Sequence, residues 1–244
     1  MKKISVLLCV CLLLSGCTTT KYRAIPGFEQ YFSGVKTIAI MPPDIKISKL
    51  TAGGVTELMD EWTAEAKSKI LYAIREELNP SYSFNSNLVD VEKLPESDKD
   101  FIREQTGLYN SVASSIVWHT YAPDSIFQHK IDNFDYTLGP DISRLSTLAE
   151  CDTLLFCSGR NYIWTAGRTG MAFFGALLGC ATGVLILPTS GAEYIAISFV
   201  DVKSGDVVWF DCNTMQGDLR KDTVCQKNIR SLFSSLPERL NDVN

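Results

Sequence analysis

The chain has 244 residues, 45% of them hydrophobic, and carries 23 basic against 28 acidic side chains for a formal charge of −5. That length suits one domain, or one domain with an insertion, and supplies enough apolar material for a core. The acidic balance, with no basic stripe interleaved with aromatics, argues against nucleic acid as a partner and against electrostatic attachment to anionic lipid.

The N-terminus carries the strongest signal. Lys2 and Lys3 form a short positive region, residues 4–14 are an uncharged apolar run, and Ser15 and Gly16 are small. This is the pattern of an export signal. Its apolar core falls short of the roughly 20 residues a stable spanning helix needs, so it is removed rather than retained. Leu14-Ser15-Gly16-Cys17 resembles the lipobox of bacterial lipoproteins. The resemblance implies that the Cys17 thiol takes a diacylglyceryl group, that the bond between Gly16 and Cys17 is cut, and that the new amine is acylated. Each methylene buried in the membrane then contributes about 0.8 kcal/mol, which makes the N-terminal lipid a lasting attachment. By the sorting rule of Gram-negative lipoproteins, Thr18 in place of an aspartate favours the outer membrane, with the protein facing the periplasm. The expected organisation is a signal peptide at 1–16, a lipidated tether at 17–30 and a single α/β periplasmic domain at 31–244, interrupted by an apolar insert at 169–190.

In the mature chain, residues 35–41 read as a near-continuously apolar strand ended by Pro42-Pro43. After a loop, Val55, Leu58, Met59, Trp62, Ala66, Ile70, Ala73, Ile74 and Leu78 recur at helical spacing until Asn79-Pro80. Residues 87–91 suit a short strand, and 97–121 a second amphipathic helix with Gly107 as a break point. A short helix at 141–150 runs into a strand at 153–157. Strands at 194–202 and 207–210 are joined by Lys203-Ser204-Gly205-Asp206, where glycine frees a positive φ for a hairpin turn. An amphipathic helix at 222–236 closes the chain. The fold class expected is α/β, a mixed sheet packed against amphipathic helices, with a glycine-rich apolar insert.

Of eight cysteines, Cys9 and Cys11 leave with the signal and Cys17 takes lipid, so Cys151, Cys157, Cys180, Cys212 and Cys225 remain. Outside the cytoplasm pairing is permitted. Cys151 and Cys157 bracket an extended strand about 20 Å long and are too far apart to pair. Either Cys212 pairs with Cys225, or all five are buried thiols acting as small apolar side chains.

The strand VKTIAIMPP, the amphipathic helix, the segment LSTLAECDTLLFCSG and the hairpin ISFVDVKSGDVVWF resemble the periplasmic domain shared by the curli secretion lipoprotein CsgG, the TolB N-terminal domain and the activator lipoprotein LpoB. That resemblance implies a mixed α/β sandwich used for assembly, secretion or partner activation, with no catalytic residues to carry over. The insert departs from it. Between Arg168 and Glu193 no residue is charged, and Gly175, Gly179 and Gly183 fall four apart, so that a helix lines them along one edge. Three roles are open to this insert: a buried core element, a membrane-contacting element, or a self-association surface.

Catalysis has little support. His119 and His129 lack metal-ligand spacing, no Gly-x-Ser-x-Gly elbow occurs, and Gly53-Gly54 lacks the lysine of a phosphate loop. Turn chemistry accounts for Asp201 and Asp206. No cofactor and no metal is expected. The expectation is a non-enzymatic envelope lipoprotein, held at the membrane by its lipid, that binds a protein partner or itself. The alternative is an envelope hydrolase or lipid carrier whose site forms only in the fold.

Overall fold

A computed structural model describes residues 22–82, 85–122, 127–182, 193–214 and 217–237, apart from the side chains of 79–82, 175 and 177–182. Its elements, in chain order, are β1 (Arg23–Ala24), α1 (Phe28–Gly34), β2 (Thr37–Ile40), β3 (Asp44–Leu50), β4 (Thr56–Leu58), α2 (Asp60–Tyr82), β5 (Asn85–Leu88) and α3 (Glu96–Thr120). There follow α4 (Gln128–Asp132), α5 (Arg144–Ala149), β6 (Thr153–Trp164), α6 (Ala166–Thr182), β7 (Tyr194–Asp201), β8 (Val207–Thr214) and α7 (Asp222–Phe233). The architecture is the mixed α/β one expected.

The strands form one sheet in the order β1-β8-β7-β6-β2-β5. β6 organises it. Its first half pairs in parallel with β2, and beyond the end of β2 its second half pairs in parallel with β3, from Asp44 against Ser158 to Leu50 against Trp164. β7 and β8 continue antiparallel on its other side. The period of two sends alternate side chains to two cores. Leu155 and Cys157 of β6, Ile45 and Ile47 of β3, and Ile195, Ile197 and Phe199 of β7 face α1, α2 and α7. Leu154, Phe156, Ala196, Val200 and Phe210 face α3 and the segment through Phe134, Ile142 and Leu145. Both faces of the middle strands are therefore covered, which is why β2 and the first half of β6 read as continuous apolar runs.

The helices follow their spacing. Ile102, Tyr109, Ala113 and Ile116 of α3 recur on one face and are buried. Tyr109 stacks on Phe156 at 4.4 Å between ring centroids, and its hydroxyl meets the buried Ser198 hydroxyl at 2.8 Å. Gly107 does not break α3, which runs through it. The hairpin turn is as expected: Gly205 has φ 81, and the Asp201 carboxylate accepts from the Ser204 N–H at 2.9 Å.

Four expectations need correction. Residues 55–58 are not the start of α2, because Thr56–Leu58 pair antiparallel with β3, and the hydrogen-bonded ladder outweighs a fortuitous helical period. The expected loop after Pro42-Pro43 is mostly the strand β3. Asn79-Pro80 does not stop α2, which extends to Tyr82, where a proline in the last turn deprives it of one bond only. The expected tether to residue 30 is shorter: β1 pairs Arg23 with Phe210 and Ala24 with Trp209, and Phe28 lies in the core.

Candidate interaction surface

The insert leaves the sheet at the far end of β6. Thr165 donates its N–H to the Leu50 carbonyl at 3.1 Å, which fixes the turn from β6 into α6 against the tip of β3. Arg168, only 3% exposed, donates to the Thr51 carbonyl at 3.1 Å and stacks its guanidinium over Trp164 at 5.3 Å. Gly167 lies over Ala52, where an added Cβ would make ordinary contact at 3.6 Å. The first turn of α6 is thus pinned to the β3–β4 turn by a planar cation that bonds at its edge and stacks by its face.

Past that turn three large apolar side chains are exposed. Met171, Phe173 and Phe174 are 53%, 64% and 68% exposed. At 100° per residue, three such positions span nearly half the helix circumference, roughly 160°. Arg168, Ala172 and Ala176, spaced by four, form the less exposed edge. Val55 and Leu58, on the β3–β4 hairpin against which α6 starts, are exposed as well. Of the three roles open to the insert, the buried core element is therefore overturned for Met171, Phe173 and Phe174: the helix departs from the sheet's end, and both sheet faces are covered by other elements.

Gly175 and Gly179 lie within α6, and Gly183 lies outside the described residues, as do Gly16, Cys17 and the remainder of the insert through 190. Gly175 is turned about 160° from Phe173 and about 100° from Phe174, so the glycine edge is not the aromatic one. Sequence reasoning singled out the glycines and passed over Met171, Phe173 and Phe174. Their placement within four residues of a charge-free run was the available signal.

Cys212 and Cys225 do not pair. Cys212 sits in the core facing α3, and Cys225 in the opposite core facing α2, with its thiol donating to the Leu219 carbonyl at 3.0 Å. The sheet stands between them, and both are free thiols, as are Cys151 and Cys157. Burial pushes the Cys212 and Cys225 thiols up to about 12.

A second apolar feature borders the sheet. Val117, Trp118 and Ala122 of the α3 C-terminal region, with Tyr194 and Ala196 of β7, line a groove of about 290 Å³, and Trp118 is 63% exposed. His119 is engaged structurally, its Nδ1 lying 2.9 Å from the Tyr136 hydroxyl. Trp209 is buried and Trp62 lies under the Arg220 guanidinium at 4.2 Å. Among the described residues no group of three His, Cys, Asp or Glu could hold a metal ion, and no helix is long and apolar enough to cross a membrane.

No protein-family model matches the chain, and no curated protein matches it in sequence. Solved structures give distant likenesses. The PelC dodecamer from Paraburkholderia phytofirmans aligns at TM-score 0.35 and 11% identity over 88% of this chain and 93% of that one. The LpoB C-terminal domain from Salmonella enterica aligns at TM-score 0.29 and 11% identity, covering 80% of this chain and 96% of its own. Lipoprotein GNA1162 from Neisseria meningitidis aligns at TM-score 0.27 and 10% identity over 75% and 81%. One of the three proteins named from the sequence, LpoB, is among these structures. At such scores and identities these likenesses assign no role to this chain.

Proposed function

We propose that this protein is a non-enzymatic lipoprotein of the outer membrane, anchored through lipid on Cys17, which works by joining to protein, either a partner or further copies of itself, through the α6 arm. The observation that supports it is the exposure of Met171, Phe173 and Phe174 on a helix whose first turn Arg168 ties to the Thr51 carbonyl. Each phenylalanine offers on the order of 150–250 Å² to a contact. Left in water, such a cluster invites aggregation; covered by a partner, it supplies the apolar centre of an interface. The anchor fixes where this happens. The chain from Cys17 to Tyr22 reaches at most about 18 Å, so the domain works close against the membrane.

Two measurements on detergent-extracted protein test the two parts. Cys17→Ala abolishes lipid labelling and leaves the precursor uncleaved, and a mature lipidated variant would end the anchor claim. Replacing Phe173 and Phe174 together by serine shifts the extracted particle to lower mass, or strips a co-purifying protein from it, while leaving the melting temperature nearly unchanged. An unchanged particle would end the arm's role.

A further inference from the structure

An acidic protein that gathers cations in one crevice does so against their mutual repulsion, and such a crevice lies away from the arm. β2 and β5 run parallel, and Pro42 and Pro43 end β2 and pass the chain to β3, which takes over beside β6. The switch leaves a gap outside the carboxyl ends of the parallel strands, the position where open α/β sheets commonly bind ligands. It is an open crevice of about 510 Å³, bordered by Lys67 of α2 on one side and by α3 on the other. Lys46, Lys67, Lys99 and Arg103 line it, with only Asp44 and Glu92 as carboxylates.

The local pairings leave cations over. Asp44 is already committed, its Oδ2 accepting from Asn110 at 2.9 Å and from Arg160 at 3.2 Å. Lys99 stands 3.6 Å from Glu96, and Arg103 pairs with Asp100. Lys46 and Lys67 have no carboxylate in ion-pair range among the described residues. From this we infer that the crevice is a binding site for a phosphate group carried by a small molecule or a lipid headgroup. A phosphomonoester brings a charge of about −1.5 to −2 near pH 7, which suits lysines acting as point charges better than a single carboxylate does. Glu92, exposed at the rim, works against such a ligand. Gly107 adds to the room, since nothing stands within 4 Å of where its Cβ would be.

The test is calorimetric titration of the detergent-extracted full chain with glucose 1-phosphate, with glucose, and with a short-chain phosphatidic acid. The inference predicts saturable binding of at least one phosphate compound and none of glucose, weakening as salt screens the site. Lys46→Gln with Lys67→Gln weakens it at least tenfold, Glu92→Gln tightens it severalfold, and Lys36→Gln at the opposite end of β2 leaves it within twofold. Binding of the sugar phosphate alone assigns a soluble ligand, of the lipid alone a headgroup, and of both a site that reads only the phosphate. No saturable binding, equal binding of glucose, or full binding by the double variant with unchanged melting would overturn the inference.

Discussion

The sharpest structural prediction concerns Gly205 in the β7–β8 turn. Its φ is +81, and a Cβ there would fall 2.1 Å from the Gly139 carbonyl oxygen and 2.8 Å from the Gly139 carbonyl carbon. Those atoms are backbone and cannot swing aside. The Leu138 N–H donates to the Gly205 carbonyl at 2.8 Å, and the Val207 N–H to the Tyr136 carbonyl at 2.8 Å, so the two segments are bonded together right beside the contact. Gly205→Ala must adopt a left-handed conformation at about 1–2 kcal/mol and separate the segments at the cost of a backbone hydrogen bond, about 1 kcal/mol more. The expected loss is roughly 2–3 kcal/mol. Gly54 is the control: its φ is +80, but nothing lies within 4 Å of its Cβ position, so Gly54→Ala incurs the conformational penalty alone. Urea unfolding measures both. With a slope near 3 kcal/mol per molar, Gly205→Ala lowers the midpoint by about 0.7–1 M and Gly54→Ala by about 0.3 M less than that. Equal midpoints for the two variants would refute the close-approach argument.

Three further outcomes follow from the same structure. Asp218 is held below the usual carboxylate range by its hydrogen bonds to Arg220, at 2.9 and 2.7 Å. A depressed carboxylate contributes stability above its unfolded value, near 4, and loses it as pH falls through the folded value, so Asp218→Asn costs about 1 kcal/mol at pH 7 and progressively less in acid. Melting curves across pH check it, and a cost that grows with acidity would contradict the pairing. With Cys151 pushed up by burial to about 11 and Cys212 and Cys225 to about 12, these thiols resist alkylation at pH 8 until the protein unfolds, and peptide mapping without reductant finds Cys212 and Cys225 unlinked. Trp209→Ala, which empties a fully buried site beside Phe28 and Phe199, costs about 3–5 kcal/mol by chemical unfolding, whereas a loss under 1 kcal/mol would show that site to be loosely packed.

Much of this fold was legible because local pattern and tertiary packing agree. In α3 the apolar spacing matches the buried face, and in the β7–β8 hairpin the turn residues match the backbone they must adopt. Where they disagreed, pattern misled. Val55 and Leu58 extend a helical period into what is an edge strand, because only the pairing of Thr56–Leu58 with β3 settles the matter. The second half of β6 was missed because Arg160 and Asn161 look like loop residues. Asn161 is buried, and its side chain serves Glu193, the Gly217 carbonyl and the Leu219 N–H, a use of polarity that only the fold supplies. The disulfide expected between Cys212 and Cys225 failed because nearness along the chain says nothing of which face of a sheet each residue meets. The arm was half legible: the charge-free run was plain, but its projection from the end of β6 depends on both sheet faces being filled by other elements. The cation crevice was invisible, since Lys46, Lys67, Lys99 and Arg103 come from three separate elements.

The proposed function stands on protein covering the α6 arm. A photo-reactive phenylalanine analogue at position 174, irradiated in intact cells, tests this most directly, because the side chain there is 68% exposed in the isolated domain. Discrete protein adducts are expected, either a ladder of this chain or a defined heavier species, which are lost when Cys17→Ala removes the anchor. Irradiation that yields only lipid adducts, or none, would contradict it.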